Sequence, residues 1–284
     1  MITCNLMGGL GNQLFQIYTT IAYAIKSQNM FKFSNIETLG GNNTTIRHTY
    51  WKTFFKHLSP FIVNIRNIPE LRIIRESGFR YKNIPITELI NKNVMLFGYF
   101  QSYKYFEHHS ITIYKLLHIH TLKEQVIKDL QNKNIEFCLN KTISLHFRLG
   151  DYKKLQEYHP IATFDYYKKS LECIKSYDEY NFHVLYFCEE EDVDEVKTII
   201  DKLFVAFPNY TFSRGAYALE DWEQLLLMSC CRHNIIANST FSWWAAYLNM
   251  NDDKIICYPS TWFGVSAKHD TSDLCPPNWI KIPC

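Results

Sequence analysis

Arg148 carries the most pointed chemistry in this chain. It stands in His146-Phe147-Arg148-Leu149-Gly150-Asp151-Tyr152, two residues after a histidine and three before a carboxylate. A permanently charged guanidinium at the end of a buried strand requires an anion, and its planar fork matches two oxygens of a diphosphate. A salt bridge to Asp151 meets the same requirement, so both readings stand. A second cluster is Asn238-Ser239-Thr240-Phe241-Ser242-Trp243-Trp244-Ala245-Ala246-Tyr247-Leu248, where small hydroxyls directly precede a helix-like run. Free N–H groups at a helix start favour anions, and serine and threonine add donors without bulk. That stretch reads as a phosphate seat, with Trp243 and Trp244 as core packing against a sheet. A third cluster, Gly8-Gly9-Leu10-Gly11-Asn12-Gln13, matches neither a P-loop nor G-x-G-x-x-G. A tight structural turn is its plainer reading; Asn12 stands out because its amide both donates and accepts. Asp221, in Asp221-Trp222-Glu223, is either a helix-start charge or an acceptor for the N–H groups of a purine edge.

Each cluster must be positioned by a strand that ends where it begins. Ile2–Met7 is strand-like and leads through the glycines into apolar positions at helical spacing from Leu14 to Ile25. Thr142–Phe147 is strand-like, placing His146 and Arg148 on one face and Phe147 and Leu149 on the other. Helices are expected over Phe164–Ser176, Glu189–Leu203 and Glu220–Cys231, with strands at Phe182–Cys188, Asn234–Ala237 and, last, Lys254–Tyr258. Strands alternating with helices predict an α/β fold with a parallel sheet, whose ligands bind at the carboxyl ends of the strands. Val94–Phe100 reads as a strand and Leu116–Asn134 as a helix with a polar connection. Between about 30 and 95 only turns are predicted, at Gly40-Gly41-Asn42-Asn43, Pro60, Pro69 and Pro85. A boundary in 132–141 divides the chain into domains 1–138 and 139–284.

The 284 residues suffice for two domains, and the 47% apolar and 20% charged composition is that of a folded chain. A net charge of +2 gives no reason to expect nucleic acid as a partner. The aromatic share of 16% suits either a sugar-lined cleft or an aromatic core. Residues 1–25 lack the pattern of a secretion signal, and no run approaches the roughly 18 apolar residues of a membrane span. Nine cysteines without a C-x-x-C pair fit a reduced, cytoplasmic setting, in which the acceptor triplets at Asn209 and Asn238 are incidental. His108-His109 and His118-Ile119-His120 read as surface residues, and no metal site is expected. The oligomeric state has no signature in the sequence.

Taken in order, the three clusters resemble the α-1,2-fucosyltransferases, the family of bacterial and blood-group H-type enzymes. Gly8–Gln16 is similar to its opening motif, His146–Tyr152 to its H-x-R-R-G-D-Y motif, and Asn238–Leu248 to its N-S-S-F-S-W-W-G-A-W-L block. Phe97–Gln101, Phe187-Cys188-Glu189 and Leu226–Cys230 extend the likeness, which runs from about residue 5 to 262. The resemblance implies two Rossmann-like domains facing a cleft (the GT-B arrangement), the first on the acceptor side and the second binding GDP-fucose. It implies transfer to the 2-hydroxyl of a galactoside-type acceptor, with inversion, no metal and no cofactor. By the same resemblance Arg148 holds the diphosphate, and His146, Asn238, Ser239, Thr240, Phe241 and Gly11 lie at the nucleotide. Asn12 reaches the donor, and Asp221 contacts guanine. Leu149 departs from the motif's second arginine, and Lys153 or Lys154 is the nearest substitute charge. Asp151, Glu157 and Asp165 compete as the base for the acceptor hydroxyl. A fucosyltransferase of another linkage, and a nucleotide-sugar-binding protein without turnover, are the rival readings.

Overall fold

The structure is a computed structural model that describes residues 1–41, 45–64, 68–215 and 218–284. The chain folds into two compact units, Met1–Leu122 with His269–Pro276, and Lys123–Lys268 with Pro277–Cys284. Both are α/β units built on parallel sheets.

In the first unit, β1 (Ile2–Cys4) is followed by α1 (Leu10–Lys26). Short strands β2 (Phe33–Ser34), β3 (Thr38–Leu39), β4 (Arg47–His48) and β5 (Ile62–Val63) precede β6 (Arg72–Arg75), β7 (Val94–Phe97) and helix α2 (Ser110–Leu116). The sheet order is β1-β7-β6, while β2 pairs with β5 and β3 with β4. The region from which only turns were expected thus contributes five short strands. Asn42 and Asn43 of the expected Gly40–Asn43 turn lie outside the described residues, and Pro60 sits within a 3-10 turn, Lys56–Phe61.

Helix α1 starts at Leu10, with Gly9 as its N-cap, so Leu10-Gly11-Asn12-Gln13 form its first turn instead of a loop. The polar residues explain this. Gln13 Nε2 donates to the Gly8 carbonyl at 3.0 Å, while the Gln16 amide accepts from Met7 N at 2.9 Å and donates to Met7 O at 3.2 Å. Side chains that suggest a loop are the ones that staple the preceding strand exit to the helix.

The second unit opens within α3 (Ile119–Asn132) and continues through β8 (Thr142–His146), α4 (Phe164–Tyr177), β9 (His183–Phe187), α5 (Val193–Ala206) and β10 (Thr211–Arg214). Then come α6 (Asp221–Cys230), β11 (His233–Ile235), α7 (Thr240–Tyr247), β12 (Ile256–Pro259) and β13 (Ile280–Ile282). The six strands are all parallel, in the order β10-β9-β8-β11-β12-β13. The chain runs outward from β8 to β10, then returns to place β11 on the other side of β8. The strand order therefore reverses between β8 and β11, the switch point at which open α/β sheets leave a crevice. Strand β12 is not the last, as the sequence suggested: β13 adds an edge beyond it.

One face of this sheet is apolar and dense. Ile143, Leu145, Phe147 and Leu149 pack with Tyr166, Tyr167 and Leu171 of α4 and with Val196, Ile200 and Leu203 of α5. Each such side chain contributes roughly 1.5–3 kcal/mol when buried. Deeper in the sheet is a polar joint. Asn234 Nδ2 donates to Ser144 Oγ (2.7 Å) on β8 and to Met228 O (2.9 Å) in α6, and its Oδ1 accepts from Asn249 Nδ2 at 2.7 Å. Residues 123–138, expected before a boundary at 138/139, belong instead to the second unit. The buried Lys123 ammonium donates to the carbonyls of Leu248 (2.6 Å) and Ser229 (3.3 Å), the negative ends of α7 and α6.

Candidate active site

The sheet register fixes the core of the site. Leu145 pairs with Tyr186 on β9 and with Ile235 on β11. Three residues further along each strand stand Arg148, Glu189 and Asn238. All three lie just past the carboxyl ends of their strands, on both sides of the switch point.

Arg148 is held from three directions. Its Nη2 donates to Asp151 Oδ1 at 2.5 Å, its Nη1 to Glu189 Oε1, and its guanidinium lies 5.1 Å from the centre of the Tyr152 ring. The salt-bridge reading of Asp151 is therefore correct, and Glu189 is a second partner that inspection of the local motif missed. Equal offsets beyond paired residues on β8 and β9 are the signal that finds it. Gly150 has φ +32°, and a Cβ there would stand 2.9 Å from Glu189 Oε2, so this turn needs glycine for the carboxylate to come close. Asp192, also missed, accepts the Gly150 N–H at 2.8 Å and anchors the turn to the start of α5. Lys153 does not replace a missing arginine: it is committed to Asp192 (2.9 Å) and Glu195 (2.7 Å). Leu149 is buried in the apolar cluster beside Phe147, on the face opposite His146 and Arg148.

Across the switch point, α7 begins at Thr240 with Ser239 as N-cap, and among the described residues no side chain caps it. The first-turn N–H groups and the half-buried Thr240 and Phe241 thus form an anion-competent helix start. Asn238 has a structural part as well. Its Nδ2 donates to the carbonyls of Pro160 (2.8 Å) and Trp262 (3.1 Å), which joins two loops, and its Oδ1 is buried without a partner among the described residues. Tyr152 connects the two halves: its ring carries Arg148 and its hydroxyl donates to Asn238 O at 3.2 Å. Trp243 and Trp244 are fully buried and pack edge-on at 5.2 Å, as expected for core.

His146 and Phe241 meet with ring centres 5.6 Å apart. His146 Nδ1 is buried and has no hydrogen-bond partner among the described residues. Burial, then the Arg148 charge, lowers its pKa from 6.5 to about 3, so the ring is neutral near pH 7. Its folded pKa lies below its unfolded one, so the unfolded chain binds the proton first as pH falls. Stability from this group is complete above pH 6.5 and declines from there toward pH 3. We expect its share at pH 5 to be about 2 kcal/mol below that at pH 7.5. Urea unfolding of wild type and His146→Asn at both pH values checks this; an equal pH slope in the two proteins would contradict it.

The other expected residues have the following surroundings. Asp221 is exposed at the start of α6, where its Oδ1 accepts the Trp222 N–H at 2.7 Å. Asp221 thus places a carboxylate in the first turn of α6, which begins at the same carboxyl edge. Glu157 faces Ser266 at 3.4 Å, and Asp165 lies in the first turn of α4. Gly11 is buried in the first turn of α1. Asn12 Oδ1 accepts from Gln101 Nε2 at 2.9 Å, which joins Gly8–Gln16 to Phe97–Gln101 within the first unit. Gly8 has φ +74°, and a Cβ there would strike the Asn12 amide. Among the described residues no group of three or more His, Cys, Asp or Glu side chains is placed to hold a metal ion, and no helix is long and apolar enough to cross a membrane.

The model for glycosyl transferase family 11 matches residues 1–283. The chain belongs to glycosyl transferase family 11. Among its relatives, the O-antigen biosynthesis glycosyltransferase WbnK of Escherichia coli is 28% identical, over 99% of this chain and 100% of the relative. An α-1,2-colitosyltransferase of Escherichia coli is 27% identical, over 99% of each chain. A solved structure, a mutant of FUT1 from Arabidopsis thaliana in complex with GDP, is similar at a TM-score of 0.49 and 9% identity, over 90% of this chain and 69% of that one. This chain places Arg148 at the sheet edge and buries Leu149 beside it.

Proposed function

We propose that this family 11 glycosyltransferase moves L-fucose from GDP-fucose to the 2-hydroxyl of a β-galactoside, with inversion and without a metal ion. One observation carries the reading: a guanidinium and an uncapped helix start lie on adjacent strands at the switch point. As the bond from the sugar C1 to the β-phosphate oxygen breaks, negative charge grows on GDP. Arg148 and the α7 N–H groups supply fixed donors for it, and a single such donor is worth about 3–4 kcal/mol. The acceptor oxygen bonds C1 from the opposite face and gives its proton to a carboxylate. Asp151, Glu157 and Asp165 are the carboxylates for that role, and Asp151 already carries the Arg148 contact. The second unit takes the donor in this reading, Asn12 of the first unit reaches that donor, and the rest of the first unit handles the acceptor.

The colitosyltransferase relative supports a second donor reading, since colitose is fucose without its 3-hydroxyl. GDP release measured with GDP-fucose and GDP-colitose against a panel of β-galactosides, with the product linkage read by NMR, separates the two. Donor binding without product from either sugar would reject turnover altogether. Chelation gives a further expected result. Activity in 5–10 mM EDTA, roughly a thousandfold above trace metal, should stay within about 20% of the untreated rate, because fixed donors replace a cation here. Loss of activity restored by Mn²⁺ would reject the metal-free mechanism.

A further inference from the structure

Arg148 does not wait with its fork open. Each terminal nitrogen already donates to a carboxylate, Nη2 to Asp151 and Nη1 to Glu189, and the Tyr152 ring covers one face. Two negative charges on one positive charge leave this cluster with a net formal charge of −1. A diphosphate meeting it competes with the two carboxylates for the charge and for the two N–H groups they occupy. The two carboxylates are not equivalent. Asp151 follows Arg148 by three residues, moves with its turn and is 54% exposed. Glu189 comes from β9, and the turn is shaped to admit it: Gly150 holds φ +32°, where a Cβ would lie 2.9 Å from Glu189 Oε2. The Gly150 N–H is also tied to Asp192, three residues beyond Glu189.

We propose that Glu189 is a positioning residue that holds Arg148 in the donor-free enzyme and competes with the nucleotide diphosphate for its guanidinium. Glu189 thereby sets donor and product affinity. The affinity of a ligand falls by the fraction of protein in the competent state, and pairing with Glu189 reduces that fraction. A nearby like charge also disfavours the arriving anion. Glu189 keeps the arginine aligned at the strand edge when no nucleotide is present, and it speeds GDP departure after transfer by reclaiming the arginine.

The inference rests on Arg148 as the diphosphate ligand, and the test separates the two. GDP binding is measured by calorimetry for wild type, Glu189→Gln, Arg148→Ala and the double variant. Glu189→Gln, which keeps the shape and removes the charge, should bind GDP at least threefold more tightly. The gain should vanish in the Arg148→Ala background. In steady state, Glu189→Gln should lower KM for the donor and lower kcat, since GDP leaves more slowly. A merely structural glutamate would weaken binding instead. If Arg148→Ala weakens GDP binding while Glu189→Gln leaves it equal or weaker, this inference is overturned and the donor reading survives. If Arg148→Ala binds GDP as wild type does, the donor reading falls and takes this inference with it. Should Glu189→Gln fold poorly, Glu189→Asp retracts the carboxylate by one methylene and is expected to tighten GDP binding in the same Arg148-dependent way.

Discussion

Arg148→Ala abolishes sugar transfer and weakens GDP binding at least tenfold, while the unfolding midpoint stays within a few degrees of wild type. The tenfold figure corresponds to about 1.4 kcal/mol, at the low end for charge-assisted hydrogen bonds to a buried-edge anion. Transfer suffers more than binding because donors aimed at developing charge act most strongly in the transition state, where one of them is worth about 3–4 kcal/mol. The fold tolerates the change because the residue lies beyond the end of β8, and the carboxylates it leaves, Asp151 and Glu189, are 54% and 43% exposed and regain water. Arg148→Lys keeps the charge but not the fork, and is expected to recover binding better than turnover. Calorimetry with GDP and a GDP-release assay on the same preparations measure both arms. Near-normal activity in the alanine variant would remove Arg148 from the mechanism.

The second large effect falls on stability. Asn234→Leu should cost about 2–5 kcal/mol in urea unfolding, although Asn234 lies within β11 and not at its carboxyl edge. Ser144 lies opposite Asn234 in the β8–β11 register, and both are buried. The substitution leaves Ser144 Oγ without the Asn234 amide. It takes one partner each from Met228 O, which still accepts from Cys231 N at 3.3 Å, and Asn249 Nδ2, which still donates to Cys231 O at 2.8 Å. A group stranded without a partner costs roughly 1–3 kcal/mol and each lost bond about 1 kcal/mol. Asn234→Asp separates shape from satisfaction: it keeps the size but replaces the donating amide with a buried charge, and should be no less damaging. A loss below 1 kcal/mol for the leucine variant would mean that water or a local shift re-satisfies these groups. The joint lies directly under the switch point, so the same variants report how far the site depends on the β8–β11 pairing.

Much of the second unit was legible in the sequence. Strands β8, β9, β11 and β12 and helices α4 to α7 follow from apolar periodicity, since each buries one face against the same core. Alternation alone separated His146 and Arg148 from Phe147 and Leu149, and burial of the latter pair bears that out. The identity of the partners of Arg148 was harder. Asp151 is close in sequence and was foreseen as a partner; Glu189 becomes adjacent only once the β8–β9 register is known. The short β10 and the edge strand β13 gave too few residues for a period, and the strands of the first unit are mostly two residues long. Helix α1 was placed four residues late because glycine and amides mark loops on average, while here Gln13 and Gln16 bond backward to Gly8 and Met7. Asn238 shows what a motif position leaves out: its amide nitrogen ties Pro160 to Trp262, while its Oδ1 is buried without a partner among the described residues.

The His269–Pro276 segment has a consequence for biosynthesis. It belongs to the first unit, where Asp273 takes Arg80 Nε at 3.2 Å and Lys104 Nζ, and its carbonyl receives the Ser102 hydroxyl at 2.5 Å. Domains usually finish folding in the order in which the ribosome delivers them. Here the first unit cannot close until residue 276 has emerged, after nearly all of the second has been made. A nascent chain of 122 residues leaves Arg80 and Lys104 without Asp273 and the Ser102 hydroxyl without its acceptor. Five of the second unit's six strands, β8 to β12, are therefore made before the earlier-made unit receives its last strap.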